Sequence, residues 1–175
     1  MDILLETEHL KIRKFSIADT QRLYEIHAES EVKKWFPNES YADTEETQGA
    51  IEFYVSRVDQ KQLPYVLAVE CRQTGELIGD TGISLSAGKK DEVEIGYVIS
   101  NKYSGNGYAT ELVSAMAKFL RSHFDVKVLY GRVIRGNQAS ARVLEKSGFT
   151  FLGEEFGAED DPYSNGMLVY RSEIE

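Results

Sequence analysis

The segment from Val93 to Leu120 constrains this chain most, because a strand pattern, a glycine-rich turn and a helix pattern follow one another there without a break. Val93, Ile95, Tyr97 and Ile99 alternate with Glu92, Glu94, Gly96 and Val98, which is the period of a strand. Leu112, Val113, Met116, Ala117 and Leu120 recur at helical spacing and predict a helix packed on one side. Between the two lies Ser104-Gly105-Asn106-Gly107-Tyr108-Ala109-Thr110. A helix that opens on such a turn leaves its first backbone N–H groups without intrahelical partners, and small residues let an anion approach them. The positive end of the helix dipole adds to the attraction, so the turn suits a pyrophosphate and needs no lysine. Two nucleotide motifs fail here: no Lys-Ser or Lys-Thr follows the second glycine, and Thr110 stands where a dinucleotide fingerprint has its third glycine. Taken alone, the turn serves equally well as a tight connection into an amphipathic helix.

The rest of the chain frames this unit. Leu10 and Ile12 alternate with charged neighbours and predict a short strand. Ser16 followed three places on by Asp19 reads as a helix start, with a helix over about residues 18–30. Residues 32–37 are too mixed to assign, residues 38–43 are turn-like, and Ala50, Ile51, Tyr54, Val55 and Val58 mark a second helix. Residues 65–69 and 77–83, joined by a turn at 72–75, read as an antiparallel hairpin, and a second turn at 87–90 leads to the strand over 92–99. A strand over 126–134, a helix over 137–147 stopped by Gly148, and closing strands over 149–152 and 167–170 follow, the last two separated by an acidic, turn-rich stretch from 154 to 165. The expected class is α/β (α+β): a mixed sheet of seven strands flanked by helices, with one right-handed parallel strand-helix-strand crossover.

A chain of 175 residues with 42% hydrophobic content fits a single domain over 1–175. Its formal charge of −9 disfavours nucleic acid or an anionic membrane as partner and suits either a cationic substrate or plain solubility. Cys71 is the only cysteine, which rules out an internal disulfide and a Cys-rich metal site. His9, His27 and His123 lack ligand spacing, so no metal is expected and each reads as a surface or packing residue. The charged start carries no signal-peptide pattern and no apolar run reaches spanning length, so a cytoplasmic protein is expected.

Read together, Glu94-Ile95-Gly96-Tyr97-Val98-Ile99, the turn from Tyr103 to Glu111, and Asn137-Gln138-Ala139-Ser140-Ala141-Arg142-Val143-Leu144-Glu145-Lys146-Ser147-Gly148-Phe149 resemble the GCN5-related N-acetyltransferase superfamily, in the branch named for ribosomal-protein alanine acetyltransferases. The resemblance implies a mostly antiparallel sheet whose parallel crossover forms the acyl-coenzyme A site, and acetyl-coenzyme A as cosubstrate. It implies that the backbone of Ser104, Gly105, Asn106, Gly107, Tyr108, Ala109 and Thr110 holds the pyrophosphate. Tyr97, Val98 and Ile99 would pair with the pantetheine arm like an added strand, with a carbonyl-polarising N–H near Val98. Ser104 departs from the family's usual Arg or Gln, which leaves the backbone to act there. Asn137 would contact the coenzyme, although a helix cap explains it equally well.

Acetyl transfer from a thioester to an amine needs a neutral nitrogen, a polarised carbonyl and a proton for the departing thiolate. An alkylamine with a pKa near ~10 costs about 4 kcal/mol to find neutral at pH 7, and an N-terminal α-amine much less. By the resemblance Glu94 is the first candidate base and Glu92 the second, each weighed against an ordinary exposed strand carboxylate, while Ser140 would stabilise the thiolate. Trp35 and Phe36 either line the acceptor pocket or anchor the core. The acidic stretch over 154–161 is either solvated or attracts a cationic acceptor. The implied activity is direct attack in a ternary complex by a primary amine, either a protein N-terminus or a small cationic amine, in a monomer or homodimer. The rival reading is a noncatalytic acyl-coenzyme A sensor, favoured by Ser104 and opposed by Glu94 and Ser140.

Overall fold

Eight strands, one more than expected, are present in the computed structural model, which describes residues 2–86, 89–157 and 166–174. They are β1 (Ile3–Glu6), β2 (Leu10–Arg13), β3 (Tyr65–Cys71), β4 (Leu77–Ser86), β5 (Lys89–Ile99), β6 (Val128–Ile134), β7 (Thr150–Glu155) and β8 (Met167–Glu173). The helices are α1 (Thr20–Ala28), α2 (Ser30–Trp35), α3 (Thr44–Asp59), α4 (Tyr108–Phe124) and α5 (Gln138–Lys146), with 3₁₀ turns at Ile17–Asp19 and Asn101–Tyr103. The sheet order is β1-β2-β3-β4-β5-β6-β8-β7. Only β5 and β6 pair in parallel among the registers of the described residues, and α4 connects them. Among the described residues no helix is long and apolar enough to cross a membrane. The chain divides into two compact units, residues 1–84 with 97–108, and residues 85–96 with 109–175.

In the first unit β1 to β4 form an antiparallel meander. The unexpected strand, β1, is a four-residue edge without alternation, so its Ile3-Leu4-Leu5 run carries no period-two signal. Asp19 accepts from the Ser16 N–H at 2.8 Å, as the helix-start pattern requires. The expected helix over 18–30 is instead a 3₁₀ turn, α1 and α2, broken at Glu29, whose φ of −60° and ψ of 135° are extended. The unassigned 32–37 stretch thus belongs largely to α2. Phe15, Leu23, Ile26, Val32, Ile51, Ala68, Leu77 and Val98 make the core, with Phe36, Tyr54 and Val55 packed against it. Phe36 is half-buried and packs against this core. Arg13 is buried and satisfied by both Asp19 oxygens and one of Glu70, each at 2.8 Å, which offsets the cost of removing its charge from water.

In the second unit β5 and β6 pair over Glu92–Glu94 and Val128–Tyr130, and β8 runs antiparallel to both β6 and β7. Lys89 and Lys90, expected in a turn, open β5, while Ala87 and Gly88 lie outside the described residues. Glu154 and Glu155 belong to β7, and residues 158–165 of the expected acidic loop also lie outside them. Leu112, Val113, Met116, Phe119 and Leu120 form the buried stripe of α4, whose residue 117 is only half-buried. A Cβ at Gly131 of β6 would stand 2.7 Å from Leu144 Cδ1, so glycine lets α5 lie close to the strand.

Candidate functional site

The glycine turn belongs to the first unit. Gly105 and Gly107 have φ of 77° and 78°, the left-handed region that glycine enters without steric cost. A Cβ at either would meet nothing within 4 Å, so backbone conformation rather than crowding calls for glycine, and the space above the turn is open. Ser104 Oγ donates to the Asn101 carbonyl at 2.8 Å, and Asn106 Nδ2 to those of Tyr103 and Ser104 at 3.0 and 3.3 Å. Both side chains are thus turned back on the loop. What remains toward solvent is exposed backbone from Ser104 to Gly107, leading into the 17-residue α4. Tyr108, Ala109 and Thr110, read as part of the turn, form the first turn of that helix, at the positive end of its dipole. This arrangement fits a pyrophosphate held by main chain.

Toward its end β5 slips out of simple alternation. Val93 and Ile95 are buried, but so is Val98, whereas Tyr97 and Ile99 are half-buried. The Val98 carbonyl lies where a Cβ of Gly79 would be, at 1.9 Å, and the Ser100 N–H donates to the Ile78 carbonyl at 2.7 Å. These even-numbered residues direct main-chain groups to β4, and strand alternation turns those of Tyr97 and Ile99 to the opposite edge.

The two candidate bases lie in the second unit and differ in their partners. Glu92 has both oxygens engaged, Oε1 by Lys89 Nζ at 3.0 Å and Oε2 by the Tyr130 hydroxyl at 3.0 Å. The Lys89 hydrogen bond, joined by that of Tyr130, holds its carboxyl below the usual range and makes it a weak proton acceptor. Glu94 Oε2 receives Arg132 at 2.5 Å, and Arg132 also donates to Glu155 at 3.0 Å, so Glu94 shares its cation.

Asn137 caps α5: its Oδ1 accepts from the Ser140 N–H at 3.2 Å. The cap uses the carbonyl oxygen, and an asparagine amide nitrogen is a separate pair of donors. The bond that joins the two residues runs from the Ser140 main chain to the Asn137 side chain.

Sequence reasoning missed two polar constellations in the first unit. Glu29, Arg22 and Glu76 converge on residues 100–103, from positions too distant in sequence for any local pattern to connect them. His27 is buried, with Nδ1 2.7 Å from the Glu39 carbonyl and Nε2 2.6 Å from Asp80 Oδ2. Burial opposes its charge, but Asp80 and the Glu39 carbonyl outweigh that and raise its pKa above the ordinary histidine value. His9 sits 5.7 Å from the Tyr108 ring and His123 stacks on Phe119 at 4.2 Å.

The model of the acetyltransferase (GNAT) domain matches residues 9–150. The chain is 29% identical over 146 residues to the uncharacterized N-acetyltransferase YoaA of Bacillus subtilis (strain 168), covering 83% of this chain and 82% of that one. Its fold is similar to that of ribosomal-protein-S5-alanine acetyltransferase from Vibrio fischeri, with a TM-score of 0.83 at 20% identity over 99% and 98% of the two chains. It is also similar to RimL, a ribosomal alpha-N-protein acetyltransferase solved in complex with coenzyme A, with a TM-score of 0.82 at 18% identity over 99% and 98%. A family match across most of the chain, on a fold with one parallel crossover opened by a glycine turn, places it: the protein belongs to the GNAT family of N-acetyltransferases.

Proposed function

We propose that this protein, as one catalytic domain over 1–175, transfers an acetyl group from acetyl-coenzyme A to a primary amine by direct attack in a ternary complex. The observation that carries the reading is the exposed Ser104–Gly107 main chain, with both glycines at positive φ, at the start of α4. That backbone, with the N–H groups of Tyr108, Ala109 and Thr110, holds the pyrophosphate. The Tyr97–Ile99 edge pairs with the pantetheine arm, and a backbone N–H of the same stretch polarises the thioester carbonyl. Asn137 donates to the coenzyme through its amide nitrogen while capping α5.

The amine nitrogen attacks the thioester carbon, a C–N bond forms, the C–S bond breaks to release the thiolate, and the proton that the nitrogen loses as the amide forms passes to the sulfur to give coenzyme A. Glu94 takes the ammonium proton beforehand, directly or through water, which offsets the cost of about 4 kcal/mol for an alkylamine at neutral pH. Glu94, with one oxygen bonded to Arg132 among the described residues, serves this role better than Glu92, whose two oxygens are engaged. Ser140 hydrogen-bonds the leaving sulfur. The acceptor is a protein N-terminus or a small cationic amine. The ribosomal-protein acetyltransferases that share the fold favour the former, and the charge of −9 is compatible with the latter. An acetylation screen over N-terminal peptides, polyamines and aminoglycosides tests this: acetyl-amine formation at the cost of acetyl-coenzyme A is expected, and none with any amine contradicts it.

A further inference from the structure

The segment that leads into the glycine turn is fastened by two carboxylates from distant parts of the first unit. Glu29, the extended residue between α1 and α2, accepts from the Ser100 hydroxyl at 2.6 Å with one oxygen and from the Asn101 N–H at 2.7 Å with the other. Glu76, just before β4, accepts from the Tyr103 hydroxyl at 2.5 Å and from Lys102 Nζ at 3.0 Å. Arg22 of α1 lies between them, 3.2 Å from Glu76 Oε1 and 3.4 Å from Ser100 Oγ, and donates to the Leu77 carbonyl at 3.2 Å. Each residue from Ser100 to Tyr103 is therefore held by a carboxylate immediately before the turn begins.

We infer that Glu29 is a positioning residue for coenzyme binding, with Arg22 and Glu76 completing the clamp; the inference rests on the coenzyme reading of the Ser104–Gly107 turn. The physical need is clear from the turn's composition. Its two glycines have the greatest conformational freedom of any residue, and an unfastened loop loses that freedom only when ligand binds, which weakens binding. Hydrogen bonds to a carboxylate are stronger than neutral ones, and Glu29 makes two of them to adjacent residues, one of which, Ser100, is fully buried. The turn is thereby ordered before coenzyme arrives. Because Glu29 also ends α1 and begins α2, it fixes the turn to helices rather than to another loop.

The test is titration of full-length wild type, Glu29→Gln, Glu29→Ala and Ser100→Ala with coenzyme A by calorimetry, together with steady-state kinetics and thermal melts. Glu29→Ala is expected to weaken coenzyme A binding about tenfold and to raise the KM for acetyl-coenzyme A alike, leaving the amine KM unchanged. Glu29→Gln, which keeps shape and an acceptor for the Asn101 N–H, should recover part of the loss. Wild-type affinity in Glu29→Ala, or losses spread equally over both substrates in step with the melting temperature, would overturn the assignment. If Glu29→Ala does not fold, Glu29→Gln and Ser100→Ala decide, and wild-type affinity in both overturns it. Failure of wild type itself to bind coenzyme A defeats the reading of the turn and this role with it, and the wild-type titration tells that outcome apart.

Discussion

Glu94 tests the chemistry at the scale of one residue. Glu94→Gln removes the proton acceptor but keeps shape and a carbonyl for Arg132, so coenzyme affinity should hold while kcat at neutral pH falls about 100-fold. An unchanged kcat would show that water or another group takes the proton. Asn137 separates capping from ligand contact. Asn137→Ala should cost about 1 kcal/mol in denaturant unfolding, whereas Asn137→Asp keeps the cap and loses the amide donor. Weaker coenzyme binding in Asn137→Asp at wild-type stability marks a direct contact; unchanged binding leaves a cap alone. His27 makes a prediction about pH. Its folded pKa is raised, so the native state binds this proton more tightly than the unfolded chain. The resulting stability is complete below about pH 6.5 and is lost as pH rises through the higher folded value. Thermal melts above that pH should show a falling midpoint in wild type and a flatter profile in His27→Gln.

At the scale of elements, the strand ends and helix breaks are where sequence reading ran short. The stripe of α4, the Ser16–Asp19 helix start and the Asn137 cap follow from local chemistry, and each was legible. β1 was not, because a four-residue edge strand pairs with one neighbour and carries no alternation. The break at Glu29 was not legible either: nothing in the local helix pattern disfavours glutamate, and its extended backbone accompanies bonds to residues more than seventy positions away. The closeness of β4 and β5 at Gly79 is likewise a tertiary fact. A Cβ there would lie 1.9 Å from the Val98 carbonyl oxygen, a main-chain atom that cannot rotate aside. Gly79→Ala should therefore destabilise the protein by about 3 kcal/mol or more in equilibrium denaturation, and a loss within experimental error would contradict the contact.

For the whole molecule, three motifs in order carried the family and the turn-helix architecture, because each is a contiguous run that a sequence displays directly. Side chains gathered from separate elements, such as His27 with Asp80, are declared by no local pattern. The clamp on residues 100–103 belongs to the same class, invisible until the fold brings Glu29, Arg22 and Glu76 together. The central claim is acetyl transfer from acetyl-coenzyme A, and the direct measurement is mass-spectrometric detection of acetylated amine as acetyl-coenzyme A is titrated at fixed acceptor, across the panel of amines. The account predicts product that saturates with acetyl-coenzyme A and equimolar release of coenzyme A. Saturable binding of acetyl-coenzyme A with no acetylated product from any amine would contradict it and leave a sensor of the acyl-coenzyme.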